Sequence, residues 1–161
     1  MTDSIDPTTV VVPEGTPETA IIRVFDAPRE LLFKAYTDPL LVGEWWGPEG
    51  VTTTVDQLDP RWGGTWRYVQ RADDGEYGFR GVFHQVDAPN RLVYTFEFEG
   101  MPGHICLETV TFEELDDHRT RLVNNSVFQS LADRDGMVAS GMESGARESL
   151  NRLAALVEKL G

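Results

Sequence analysis

Positive charge is scarce in this chain. Lys and Arg number 14 against 27 Asp and Glu over 161 residues, a formal net charge of −13. A surface of that sign repels nucleic-acid phosphates and anionic bilayers, so neither nucleic acid nor a membrane is expected as a partner. Cysteine occurs once, at Cys106, which excludes an internal disulfide. Histidine occurs three times, at His84, His104 and His118, scattered over separate segments, which leaves no metal-ligand spacing. There is no Gly-x-Ser-x-Gly nucleophile turn and no Gly-x-x-x-x-Gly-Lys phosphate loop. A charged-then-apolar leader and an apolar run of about 18 residues are missing too. No metal and no cofactor are expected, and the expected location is a reducing compartment, most simply the cytoplasm.

What the chain has is aromatic residues at alternate positions. Trp66 and Tyr68 share one parity, as do Tyr77, Phe79 and Phe83, then Tyr94, Phe96 and Phe98, then Val110 and Phe112, with Arg67, Arg80, Glu97 and Thr111 between them. A period of two means strands with one buried and one wet face. The rings outnumber the large partners available elsewhere to fill the space they enclose, which points to a cavity. A chain that is 40% hydrophobic has enough apolar mass for one domain with a modest pocket.

The segments follow in a readable order. Residues 1–17, with three prolines and one short apolar patch at Val10 to Val12, read as a loose tail, and residues 18–161 as a single domain. Ala20 to Phe25 reads as a strand, followed by Asp26 as N-cap of a first short helix and Asp38-Pro39 opening a second that ends near Trp45-Trp46-Gly47-Pro48. Six strands then recur at about 51–58, 64–71, 77–86, 92–98, 105–112 and 120–127, with turns at Asp59-Pro60, Asp73-Asp74-Gly75, Ala88-Pro89-Asn90, Pro102-Gly103 and Asp116-Asp117. Short links between consecutive strands favour an antiparallel meander. One long helix over Leu131 to Leu160 closes the chain, its inward face expected to carry Val138, Met142, Gly145, Ser149, Leu153, Leu156 and Leu160. Small residues in its first half leave room above the sheet, or else let helix and sheet approach closely; both readings stay open, for the glycines at 136 and 141 as for Gly145.

Several segments together resemble a known family: Phe25-Asp26-Ala27-Pro28-Arg29-Glu30-Leu31-Leu32-Phe33, Thr37-Asp38-Pro39, Trp45-Trp46-Gly47-Pro48, Asp59-x-Arg61-x-Gly63-Gly64, Arg91-Leu92-Val93-Tyr94 and Ser140-Gly141-Met142-Glu143-x-Gly145. The chain is similar, over about Thr19 to Leu160, to homologues of the activator of heat-shock protein 90 ATPase, within the SRPBCC superfamily that includes START lipid-transfer domains and polyketide cyclases. The resemblance implies an α+β helix-grip fold: a seven-stranded antiparallel sheet curved around a long C-terminal helix, with two short helices between the first two strands. It also implies a stand-alone, bacterial-type member, for which a small apolar ligand is the usual proposal. Gln85 departs from the pattern, since many members carry an acid there, and any role resting on that acid is in question.

The leading functional reading is an intracellular binding protein that holds a hydrophobic small molecule, aromatic or lipid-like, between the C-terminal helix and the sheet. The expected lining is Tyr36, Trp45, Trp46, Trp66, Tyr68, Phe79, Tyr94, Phe96, Met142, Gly145 and Ser149. One of the paired indoles, Trp45 or Trp46, is read as part of the rim, with structural packing of at least one of them as the alternative. Asp59, Arg61, Gly63 and Gly64 read as a structural turn. Glu108 is the candidate for catalysis: it shares parity with Val110 and Phe112 and faces Asn124 and Ser126 across the sheet, where burial would raise its pKa as acid–base chemistry needs. His84 is placed on the outer face, and Cys106 has no evident activating partner. Two competing readings remain: a cyclase, hydrolase or isomerase on a polyketide-like substrate, using Glu108 or a tyrosine, and a chaperone-linked or stress-response partner protein, including a homodimer, that works through its acidic surface.

Overall fold

The computed structural model describes residues 7–116 and 118–161. Residues 1–6 of the expected tail and Asp117 of the expected turn lie outside the described residues. The elements follow in the order β1 (Thr9–Val11), β2 (Glu18–Phe25), α1 (Arg29–Thr37), α2 (Pro39–Trp45), β3 (Thr52–Leu58), β4 (Thr65–Ala72), β5 (Gly75–Asp87), β6 (Arg91–Phe98), β7 (Ile105–Asp116), β8 (Arg119–Phe128), α3 (Leu131–Ala139) and α4 (Met142–Leu160). The sheet order is β1-β2-β8-β7-β6-β5-β4-β3, with every neighbouring pair antiparallel. This is the helix-grip architecture, with eight strands where seven were expected.

The extra strand lies in what reads as tail. Thr9, Val10 and Val11 pair with Ile22, Ile21 and Ala20, so a patch too short to order itself is held by a neighbour strand and by cations. Buried Arg134 of α3 donates to the carbonyls of Pro13 (2.6 Å) and Glu18 (3.0 Å), and Arg147 of α4 donates to the Thr8 carbonyl. These bonds pair backbone groups that would otherwise be stranded at a partly buried edge.

The inner face of the sheet follows the period of two. Thr19, Ile21, Arg23 and Phe25 are buried on β2, Cys106, Glu108, Val110 and Phe112 on β7, and Trp66 and Tyr68 on β4. Bulges at Val55/Gln57, Phe83/Gln85 and Glu114/Asp116 shift the register, and bulges of this kind bend and twist the bulged strand. Trp66 sits opposite Gly81, and its indole Nε1 donates to the Thr95 carbonyl at 3.1 Å. A Cβ on Gly81 would lie 1.8 Å from that same oxygen and 2.4 Å from Nε1. Glycine is therefore what lets the indole cross β5 and reach β6.

The helices depart from expectation in three places. Pro28, with ψ 150°, occupies the N-cap of α1 and gives no side-chain bond, so Asp26 lies upstream of the helix and caps nothing there. Asp38 does cap α2, accepting from the Leu40 amide at 2.9 Å. The long C-terminal helix is two: Ser140 ends α3, and Gly141 at φ 90° turns the chain before α4 starts, the left-handed residue that commonly stops a helix. Across the break Met137 takes the wall position expected of Val138, while Met142, Gly145 and Ser149 of α4 lie on the inward face as expected. Leu150, Leu153, Ala154, Leu156 and Val157 are buried, while Leu160, expected inward, is 46% exposed.

Gly81→Ala should cost about 3 kcal/mol, as overpacking against backbone does, and lower Tm by roughly 6–12 °C for a domain of this size. Thermal melts followed by circular dichroism check this; an unchanged Tm would show that Gly81 is not what admits the Trp66 indole.

Candidate functional site: a cavity between the last helix and the sheet

Two side chains, Ser149 and Arg152, set how α4 stands over the sheet. Ser149 Oγ accepts from the Gly47 amide at 3.1 Å and donates to the Trp45 carbonyl at 3.2 Å. Arg152, one turn on, donates to the carbonyls of Gly47 (3.0 Å), Pro48 (3.1 Å) and Glu44 (3.1 Å). These residues take up the carbonyls left over at the C-terminus of α2. Toward its C-terminus, α4 packs Leu153, Leu156 and Val157 onto the core. Toward its N-terminus it offers Gly145, Ala146 and Ser149, and a Cβ built on Gly145 would meet nothing within 4 Å. Here the glycine leaves room; it does not bring helix and sheet together.

Below that half of α4 lies a partly enclosed cavity of about 340 Å³. Tyr36, Trp45, Trp46, Trp66, Tyr68, Phe79, Tyr94, Phe96, Met142, Gly145 and Ser149 all lie on its wall, together with Glu108. Trp46, the residue that caps the end of α2, is central among the rings: its centroid is 5.1 Å from Tyr68, 5.2 Å from Phe79 and 6.3 Å from Trp66, each edge to face. Trp45 is 3% exposed and donates from Nε1 to the Ala35 carbonyl at 2.9 Å, which locks α2 to α1. Of the paired indoles, Trp45 is therefore the packing one and Trp46 the one set among the cavity rings. The Asp59–Gly64 turn stands apart, with exposed Arg61 bonded to Asp59 at 2.8 Å and a Cβ on Gly64 excluded by the Asp59 carbonyl at 1.9 Å.

One end of the wall is polar. Glu108, 8% exposed, accepts from Ser126 Oγ at 2.7 Å and from Cys106 Sγ at 2.9 Å, and Asn124 shares this end of the wall. Burial raises the Glu108 pKa, and its polar neighbours Cys106, Ser126 and Asn124, which favour the ionised form, oppose the shift. Burial, followed by the neighbouring Glu108 charge, also raises Tyr36, Tyr94 and Cys106. The tyrosines stay phenols and the cysteine stays a thiol at neutral pH, so Cys106 donates a hydrogen bond and is no nucleophile.

Sequence reasoning missed Cys106 as part of this group, although its i, i+2 spacing from Glu108 on β7 was the available signal. It also missed Thr19, Ile21 and Met137 on the wall. His104 sits outside the cavity, its Nδ1 3.0 Å from Asp133 Oδ1, and His84 is exposed. Among the described residues no three His, Cys, Asp or Glu side chains gather as a metal site requires, and no helix is long and apolar enough to cross a membrane.

A carboxyl whose pKa rises on folding carries its penalty only once pH passes the unfolded value, about 4.3 for glutamate. Below that pH both states hold the proton and nothing is lost; above it the penalty grows until the folded pKa is passed and stays at its full size beyond. The Tm difference between Glu108→Gln and wild type should therefore shift in the variant's favour as pH rises from about 4. A difference that stays constant with pH would show that Glu108 titrates as it does in water.

The geometry has counterparts in known proteins. A protein from Mycobacterium smegmatis, Ms6760, superposes with a TM-score of 0.85 at 26% identity, over 94% of this chain and 97% of its own. A protein described as AHSA1 from Silicibacter pomeroyi gives 0.74 at 25% identity, over 89% and 99%. An HSP90 activator from Plasmodium falciparum gives 0.56 at 21% identity, over 68% and 71%, a likeness of fold alone. The curated proteins hold no match to the chain. Residues 26–158 match the family model described as Activator of Hsp90 ATPase homolog 1-like protein, a span that takes in the capped helices, the aromatic strands and nearly all of α4, and the chain belongs to that family.

Proposed function

We propose that the protein binds an apolar small molecule, aromatic or lipid-like, in the cavity between α4 and the sheet, and that it does so in the cytoplasm. The observation that carries this reading is the contrast along α4: leucine and valine where helix meets sheet, Gly145, Ala146 and Ser149 where the aromatic strands lie below. Natural cores keep few voids larger than a water molecule. A dry void of about 340 Å³ would cost about 8 kcal/mol at the rate measured for core cavities, which is comparable to the whole net stability of a domain. Water entering through the open side reduces that cost, and an apolar ligand removes it. Rings on several sides supply stacking and desolvation, and the tyrosine hydroxyls supply orientation.

Acid–base chemistry on a bound polyketide-like molecule is the second reading, favoured by one observation: a buried carboxyl, Glu108, with its pKa raised, on the cavity wall. A bell-shaped pH–rate profile that disappears in Glu108→Gln would favour it.

Gly145→Leu separates binding from folding. The new side chain enters open space and the helix gains about 0.8 kcal/mol of propensity, so Tm should hold or rise. Affinity for a neutral apolar probe, N-phenyl-1-naphthylamine followed by its fluorescence, should fall by about tenfold or more. Unchanged affinity in a well-folded variant would place the binding site elsewhere.

A further inference from the structure

We infer that the cavity takes a ligand bearing a protonated amine, seated with its ammonium group against Glu108 and Asn124 and its apolar body among the aromatic rings. The inference rests on the binding reading above and narrows it to one ligand class. Three features of the wall agree in sign. The Glu108 carboxyl accepts from Ser126 Oγ at 2.7 Å and from Cys106 Sγ at 2.9 Å, bonds that favour its ionised form. No Lys, Arg or His is among the described residues lining the cavity, so nothing on the wall neutralises that charge. Asn124 Oδ1 is buried without a hydrogen-bond partner and offers a second acceptor at the same end.

An ammonium group carries three donors and no acceptor, which answers a carboxylate and an amide oxygen together through charge-assisted bonds. The rings around it add to the match, since aromatic faces attract cations and do so more strongly when desolvated. The other titratable groups on the cavity wall are Tyr36 of α1, Tyr94 of β6, Tyr68 of β4 and Cys106 of β7; all are kept neutral by burial, and none brings a positive charge. A fatty acid or other carboxylate would place a second negative charge beside the first, in a site where water screens little.

Three probes of one shape decide the matter on the wild-type protein at pH 7 by isothermal titration calorimetry: 2-(2-naphthyl)ethylamine, 2-(2-naphthyl)ethanol and 2-naphthylacetic acid. The amine is expected to bind about tenfold or more tighter than the alcohol, as one charge-assisted bond provides, and the acid to bind weakest. In Glu108→Gln the preference for the amine over the alcohol should disappear, the ratio of the two affinities falling to about one. Equal binding of all three, or a preference for the acid, overturns the ammonium inference and leaves the cavity reading intact. Binding of none overturns both. The three-probe comparison needs no variant, so it stands even if Glu108→Gln folds poorly.

Discussion

The standoff between α4 and the sheet is the constraint on which the rest of the structure depends. One half of the helix is anchored by Leu153, Leu156 and Val157 in the core, and its middle is tied by Ser149 and Arg152 to the end of α2 around Gly47 and Pro48. With both fixed, the first half of α4 has no freedom to settle onto the strands, and its small residues do not reach them. The same bonds hold the end of α2 so that Trp46 stands among the strand aromatics while Trp45 is locked beneath it. A single helix placement thus sets the volume of the cavity and the position of its central indole.

The chemistry inside follows from burial. A carboxyl, three phenols and a thiol all lose water there, and the same desolvation pushes each toward its neutral form. At Glu108 the donors Ser126 and Cys106 oppose that push. The result is a mostly apolar space with one electronegative end. Membership of the family says nothing further about activity, because folds host unrelated functions, and the HSP90 activator that shares this architecture does so at 21% identity.

Most of the architecture was legible because strand alternation is a local signal: residues 66 and 68, 94 and 96, and 110 and 112 declare a buried face without reference to anything distant. Signals that depend on partners were not legible. Val10 and Val11 look too short to order until the edge of β2 is known to be vacant beside them. Gly141 reads as a costly helix glycine until its φ of 90° shows it to be the stop between α3 and α4; projecting one phase across that stop puts Val138 where Met137 stands, and Leu160 is exposed as the last residue of α4. Cys106 was read only as a thiol with no activating partner; its hydrogen bond to Glu108, two residues away on the same strand, was not foreseen. The cavity residues themselves were accessible from parity together with family resemblance, whereas the aperture in α4 was ambiguous: a glycine on an inward face allows either close packing or open space, and only the position of the facing strands decides which.

The most direct measurement is a crystal structure of the protein soaked with N-phenyl-1-naphthylamine. If the space under the first half of α4 is a binding site, the probe lies between Gly145 and the rings of Trp46 and Trp66, with α4 still tied through Ser149 to the end of α2. An α4 settled onto the strands with the space closed, or a probe bound only on the outer face of the sheet, would contradict it.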